Sequence, residues 1–317
     1  MKMLQAKCPL RTLLIAVVLF AFLPGKAQTD LDALMMKKNR LCAGFMYVHN
    51  SWDEYWEGTF KRDNLNLGTV TTQMIGVMGA YGITNKVNLI FSLPYVKTKA
   101  SAGTFSGLDG IQDLSLFGKW QAAKWKAGKG NITLFGVAGI SFPVSNYTAD
   151  YLPFSIGLES KTLSLRVIGD YDIGRFFVTG SGTYTFRDNI TIDRDAYYTT
   201  QMHYTNEVYM PDVMLFNLRA GYRHSVLIAE LFATSQKTLG GFDITKNNMP
   251  FPSNEMNMTM VGAGFKYDMP FHKPLSVIGG AGYVVKGRNV GQSLVLNGGV
   301  FYVFDFSRKT KSAESKK

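Results

Sequence analysis

Cysteine is nearly missing from this chain. Cys8 and Cys42 are the only two in 317 residues, so no disulfide framework can hold the fold together. Proline is sparse at 10 residues, and charged residues make up 18%, against a usual share of about 25%. A disordered segment is poor in rings and rich in charge, whereas 13% of this chain is aromatic. Glycine is abundant at 32 residues, but it follows no short period, which removes collagen and solenoid readings. No phosphate loop, dinucleotide fingerprint or paired Cys-x-x-Cys occurs. The positive charge gathers in the tail and not along a groove, so nucleic acid is not an expected partner.

Long apolar runs are confined to the start. Lys2, Lys7 and Arg11 precede the apolar stretch from Leu13 to Leu23, and Pro24-Gly25-Lys26-Ala27-Gln28 offers small residues at a cleavage position. This order reads as a secretory signal peptide over residues 1–27, cut after Ala27. The apolar stretch is too short to span a bilayer as a helix. Cys8 would leave with it, and the formal charge would fall from +11 to +7. Elsewhere the longest charge-free stretch, Asn64–Asn85, is more than half Asn, Thr, Gln and Gly, a poor lipid-facing helix. An exported chain without helical spans is either a secreted β protein or a β-barrel of the outer membrane of a Gram-negative bacterium.

Periodicity decides between these. Segments of 10 to 15 residues place apolar side chains at every second position. In the last, Leu294, Leu296, Val300, Tyr302, Phe304 and Phe306 share one face, while Asn297, Gly299 and Asp305 share the other. Twelve such segments are predicted, at 41–52, 68–82, 87–97, 111–122, 131–142, 162–171, 176–187, 213–222, 226–236, 256–268, 275–286 and 293–306. Their connections alternate between long and short, the last long link (287–292) being the exception. Long outer loops, short periplasmic turns and an even strand count are the requirements of an outer-membrane barrel. The expected fold is therefore all-β: a transmembrane, antiparallel, up-and-down barrel over residues 41–306. A short periplasmic segment (28–40) would precede it and a basic, disordered periplasmic tail (307–317) would follow. That tail carries five basic residues and one acidic, and reads either as a solvated end or as a tether to an anionic partner.

Taking the apolar face as outward assigns the lumen. Asp113, Lys119, Arg166, Asp170, Arg219, Glu230, Lys266, Lys286 and Asp305 fall inward, where water or an opposite charge can hold them. Facing lipid at the midplane, each basic residue would cost about 2–4 kcal/mol. A two-residue turn at His224-Ser225 would set Arg219 directly opposite Glu230 as a cross-strand ion pair. Gly262, Gly264, Gly280, Gly282 and Gly299 also fall inward and would leave room. Met256, Met258 and Met260 form an inward stripe, either an adaptable greasy site or a packed plug. Pro94 cannot donate to a ladder. It marks either a bulge or a defect in the wall through which an apolar solute leaves sideways.

The predicted loops are rich in rings: Trp52, Tyr55 and Trp56, then Tyr147, Tyr151 and Phe154, then Tyr197, Tyr198, Tyr204 and Tyr209. They could capture an apolar ligand or form an interface girdle. His49 and Ser51 share a strand face, the minimal arrangement for a nucleophilic pair, but no third residue orients them. Histidines 203, 224 and 272 are isolated, so neither a metal nor a cofactor is expected.

Two stretches carry a resemblance. Tyr81-Gly82-Ile83-Thr84-Asn85 leading to Leu93-Pro94-Tyr95-Val96, and then Gly107-Leu108-Asp109-Gly110-Ile111-Gln112-Asp113-Leu114, resemble the outer-membrane family of the phenol-degradation meta-pathway. That family is thought to be related to the long-chain fatty-acid channel FadL. Its members carry a Tyr-Gly-(Leu/Ile)-Thr hairpin followed by Leu-Pro-Tyr-Val, and then a strand start with Gly-x-Gly-Asp. Here Asp109-Gly110-Ile111-Gln112-Asp113 is looser than that second pattern. The resemblance implies a non-enzymatic channel or porin-like transporter for passive uptake of small hydrophobic or aromatic compounds. Its expected partners are outer-membrane lipid, a small apolar solute and, during biogenesis, the barrel-insertion machinery. The alternatives are a structural or adhesive barrel with a filled lumen, or an outer-membrane lipid hydrolase.

Overall fold

A ribbon that is greasy on one face can lie in hydrocarbon only if every backbone group is paired, which for strands means closing on itself. In the computed structural model, which describes residues 31–245, 248–272 and 274–307, twelve long strands do so. They are β1 (Arg40–Trp52), β2 (Val70–Gly82), β3 (Val87–Ala100), β4 (Asp113–Ala127), β5 (Gly130–Pro143) and β6 (Thr162–Ile173), followed by β7 (Phe176–Arg187), β8 (Val213–Arg223), β9 (Leu227–Thr238), β10 (Asn257–Asp268), β11 (Leu275–Arg288) and β12 (Leu294–Asp305). Each pairs antiparallel with its neighbours, and β12 pairs with β1 from Arg40↔Asp305 to Ser51↔Leu294, closing the cylinder. Among the described residues no helix is long and apolar enough to cross a membrane.

All twelve segments expected from alternation are present, and long and short connections alternate as expected. The link expected at 123–130 contracts to Gly128 and Lys129. A bulge between Gln121 and Ala123 lets β4 continue through Trp125 to Ala127. Many side chains on the outward-numbered face are apolar and exposed, among them Phe45, Val77, Trp120, Val167, Phe216 and Leu231.

Of the segment expected to lie in the periplasm before the barrel, the described residues 31–39 are instead inside it. Residues 31–39 cross the short-turn end of the bore as a strap. Met36 packs beside Cys42, Phe301 and Val303 on β1 and β12. Further along, Ala33 and Met35 lie against Phe135, Val137 and Ile168 on β5 and β6, most of the way across the bore. Gly82 lets the strap pass: a Cβ there would strike the carbonyl of Lys37. The strap is fastened where Asn39 N donates to Gly82 O (2.8 Å) and Lys38 N donates to Asn85 Oδ1 (3.1 Å). The expected signal peptide (1–27) and all but Ser307 of the basic tail lie outside the described residues.

Candidate functional site: the bore and its loop-end chamber

On the wall from β4 to β9, inward positions of β4, β6, β8 and β9 carry charge, and most of these charges meet a partner on another strand or on the strap. Lys119, with a fully buried side chain, donates from Nζ to both the carbonyl and Oδ1 of Asp32 on the strap. It also stands 5.5 Å from the Phe135 ring centroid. Arg166 donates from Nε to Thr183 Oγ1 (2.6 Å). Asp170 accepts from Thr179 Oγ1 (2.5 Å) and pairs with Arg223 at 3.3 Å, whose guanidinium lies over Phe177. Asp113, near the loop end, accepts from Tyr147 Oη (2.6 Å). At the turn end Lys266 pairs with Asp268, which also accepts from Ser276 Oγ (2.6 Å), and Asp305 pairs with Arg40 at 3.1 Å. Leaving any one of these charges alone in a low-dielectric interior would cost several kcal/mol, roughly 3–5 when a partner is removed.

Arg219 and Glu230 are ion-paired, but not in the expected register. The reversal is centred on Ser225-Val226, closed by His224 N donating to Leu227 O (2.7 Å), so Arg219 stands opposite Phe232 and Glu230 opposite Gly221. A slip of two residues keeps every side chain on its face. The pair therefore forms along a diagonal, with Arg219 Nε also donating to Asn217 Oδ1 (2.8 Å) and the guanidinium lying over Phe232.

Lys286 is a correction. The β10–β11 register shifts between Thr259 and Met260, so beyond this bulge Lys286 stands opposite Thr259, on the outward-numbered face, and is exposed. Arg40, Arg223 and Asp268 face inward and were not singled out from the sequence. Arg223 lies one residue beyond the expected end of its strand, and only alternation carried to the strand tips would have found all three.

From β10 through β12 and β1 to β3 the wall is different. Its inward positions above the turn end are uncharged, and Met46, Met74, Met78, Met258 and Met260 are among them. Met256 precedes β10, and its carbonyl accepts from Thr238 Oγ1 (2.8 Å). The inward glycines are not simply vacant space. A Cβ at Gly262 would strike both the Ala281 carbonyl and the Phe232 ring, and one at Gly282 would lie 2.9 Å from the Met260 sulfur. Rings and thioethers lie across the glycines.

Pro94 faces inward, opposite Gly76 on β2. On its other side β4 pairs with β3 only from Val87 to Ser92, and a short strand, Asp109–Ile111, takes over at Tyr95–Lys97 with a one-residue offset. Pro94 lies in that interruption, where its carbonyl accepts from Gln112 N (2.9 Å). His49 and Ser51 are on the outward-numbered face of β1, opposite Gln73 and Thr71.

The long loops fold over their end of the cylinder. Ile190, Tyr197, Val208 and Met210 form one buried cluster, and Leu67, Val70 and Phe154 form another. Tyr204 and Tyr209 remain exposed. Asn289 ties three loops together: its Oδ1 accepts from Gly58 N (2.7 Å) and Ile244 N (3.1 Å), and its Nδ2 donates to Asp243 Oδ1 (2.7 Å). Hydrogen bonds from Arg288 and Asn289 hold the Asp243 carboxyl below its usual range. Burial, with the hydrogen bond to Asp113, pushes the Tyr147 phenol well above its ordinary value. Beneath these loops is a chamber of about 490 Å³, walled by Trp52, Tyr55, Phe105, Pro153, Met249 and Pro250. Sequence reading picked out two of those rings, but only the folded loops bring the six together.

No protein-family model matches the chain, and no curated protein matches it by sequence. Solved structures do resemble it. An outer membrane channel from Pseudomonas putida F1 is 15% identical with a TM-score of 0.68, over 87% of this chain and 99% of that one. The translocator domain of the autotransporter NalP from Neisseria meningitidis is 13% identical with a TM-score of 0.45, over 83% and 87% of the two chains. The CymD monoaromatic hydrocarbon channel is 11% identical with a TM-score of 0.42, over 85% and 90%. At such identities the likeness to the Pseudomonas channel is one of fold, and it agrees with the resemblance carried by residues 81–114.

Proposed function

We propose that this protein is a passive outer-membrane channel that admits small, mainly hydrophobic or aromatic compounds. Its loops would face the exterior and its turns the periplasm of a Gram-negative bacterium. The observation that carries this reading is the division of the bore. One wall holds charges in cross-strand pairs such as Arg219–Glu230 and Arg223–Asp170, while the other presents methionines, and a ring packed over glycine, along which an apolar solute can slide. The fold shared with a protein named as an outer membrane channel supports it. Near balance of the inward charges favours no ion of one sign. Outer-membrane lipid outside the wall and an insertion machinery during biogenesis are part of the same proposal, and no catalysis is.

The strap lies across the turn end, so passage there requires Asp32 to leave Lys119. The interrupted ladder at Pro94 offers a second route, sideways into the membrane. Conductance of the purified protein in planar bilayers tests the channel reading: steps that grow when residues 31–38 are deleted support it. Silence in both forms would favour a structural barrel with a filled lumen, a reading that the strap and the folded loops also suit. Pro94→Ala separates the two exits, because unchanged uptake of apolar solutes removes the sideways one.

A further inference from the structure

We propose that Lys237 and Lys286, on the outer wall of β9–β11, clasp the phosphate-bearing headgroup of a glycolipid in the outer leaflet. This rests on the reading that the loops face the exterior, and it names the lipid that the wall meets there. The charged residues at outward-numbered positions of the twelve strands are Lys97, Lys99, Lys237, Lys286 and Arg288, and none is acidic. All of them lie at the loop ends of their strands, whereas Trp125, Ile173, Phe176 and Phe304 take outward positions at the turn ends. A lysine facing lipid is costly at the midplane of a bilayer and tolerable near its surface. Cations gathered at one end of the wall fit an anionic leaflet at that end.

On β3 the charge is offset, because Asp109 stands opposite Lys97. On β9–β11 it is not. Ser235, Thr259 and Lys286 form one outward row across β9, β10 and β11, and Lys237 lies two residues beyond Ser235 on the loop side. Lys286 enters this row because Val285 is the extra residue of the bulge; strict alternation would have turned it into the bore. The two lysines stand about 10 Å apart across the sheet and about 7 Å along it, a span that their long stems can close on one phosphorylated sugar. Among the described residues neither has an ion pair or a side-chain hydrogen bond, and both are exposed. The acids around them are engaged. Asp243 and Glu255 pair with Arg288, while Asp212 accepts from Tyr184 Oη (2.8 Å) and Arg187 N (3.0 Å). The hydroxyls of Ser235 and Thr259 lie between the lysines and can donate to the same phosphate or its sugar. An ammonium meets a phosphate through charge-assisted hydrogen bonds, which are the strong ones. On the turn side of the row Leu231, Val261 and Tyr283 are exposed and offer the apolar surface that acyl chains need.

Native mass spectrometry of the protein in a neutral detergent, titrated with bisphosphorylated lipid A and with its dephosphorylated form, tests this. The phosphorylated lipid is expected to bind at least about ten-fold more tightly. Lys237→Gln and Lys286→Gln should each weaken it about five-fold, and the double variant at least about ten-fold, while heat-modifiable migration on a gel is kept. The single variants carry the test if the double variant does not insert. Lys97→Gln with Lys99→Gln on β3 should leave the affinity within about two-fold of wild type. Equal binding of the two lipid forms, or an equal loss from the β3 variant, overturns the proposal. Displacement by the same concentration of phosphatidylglycerol or of inorganic phosphate overturns it too. Conductance that persists in a protein without this selectivity would sink the site and spare the channel. Selective binding by a silent barrel would sink the channel and keep the site.

Discussion

Between β4 and β9 the inward face of the barrel carries lysine, arginine, aspartate and glutamate. Between β10 and β3 the same geometry carries methionine, glycine and valine, with charge kept to the turn end. Both walls alternate, both are closed by the same ladder, and both face the same bore. The difference is where each inward group finds its partner. On the charged wall a guanidinium reaches a carboxylate one strand away and lies over a ring, as Arg219 does with Glu230 and Phe232. On the other wall the partners are apolar: Phe232 lies across Gly262, and Met260 lies against Gly282. An inward charge persists where its neighbours supply the opposite sign, and small residues persist where a ring lies over them.

The comparison breaks most visibly at Lys119. Lys119→Met removes the cation that pairs with Asp32, and losing one partner of a buried pair costs about 3–5 kcal/mol. The barrel should stay closed while the strap comes free. Cys42, 1% exposed beside Met36, is the reporter, and its labelling by a maleimide should rise at least about ten-fold, equivalent to about 1.4 kcal/mol. Unchanged labelling would mean that apolar packing and the hydrogen bonds to Gly82 and Asn85 hold the strap without the Lys119–Asp32 pair. On the opposite wall, Gly262→Leu drives a side chain into Phe232 and the Ala281 carbonyl. Overpacking of this kind costs about 1–3 kcal/mol, read as a lower unfolding midpoint. A neutral outcome would mean that the glycine faces open space.

A smaller effect is expected from Arg219→Gln and Glu230→Gln combined in a double-mutant cycle. Coupling on the order of 1 kcal/mol in unfolding free energy fits a partly buried diagonal pair. No coupling would remove the ion pair from the account. Least of all, Lys286→Ala should change stability by no more than about 0.5 kcal/mol, as for an exposed surface residue. A large loss would return Lys286 to the lumen.

Much of the wall was legible in the sequence. Alternation located all twelve strands and the faces of Arg166, Asp170, Arg219 and Glu230, because a period of two leaves only two faces. What alternation cannot see is a break in itself. The bulge between Thr259 and Met260 turned Lys286 outward, and the one at Gln121 lengthened β4. Turn chemistry placed the β8–β9 reversal one residue early, since His224-Ser225 and Ser225-Val226 are both passable turns. The strap was missed for another reason. Residues 31–39 have neither strand nor helix periodicity, and their position depends on Gly82, Asn85 and Lys119, which lie far along the chain. The loop-end chamber is likewise a product of several loops meeting.

The division of the bore is tested most directly by solute entry into vesicles whose outer leaflet is lipopolysaccharide. The rate of 2-naphthol entry should exceed that of protein-free vesicles and fall several-fold with Met260→Lys, while the Arg219→Gln, Glu230→Gln double variant leaves it near the wild-type rate. Entry that survives a lysine on the methionine wall, but is lost when the charged pair is neutralised, would contradict the account.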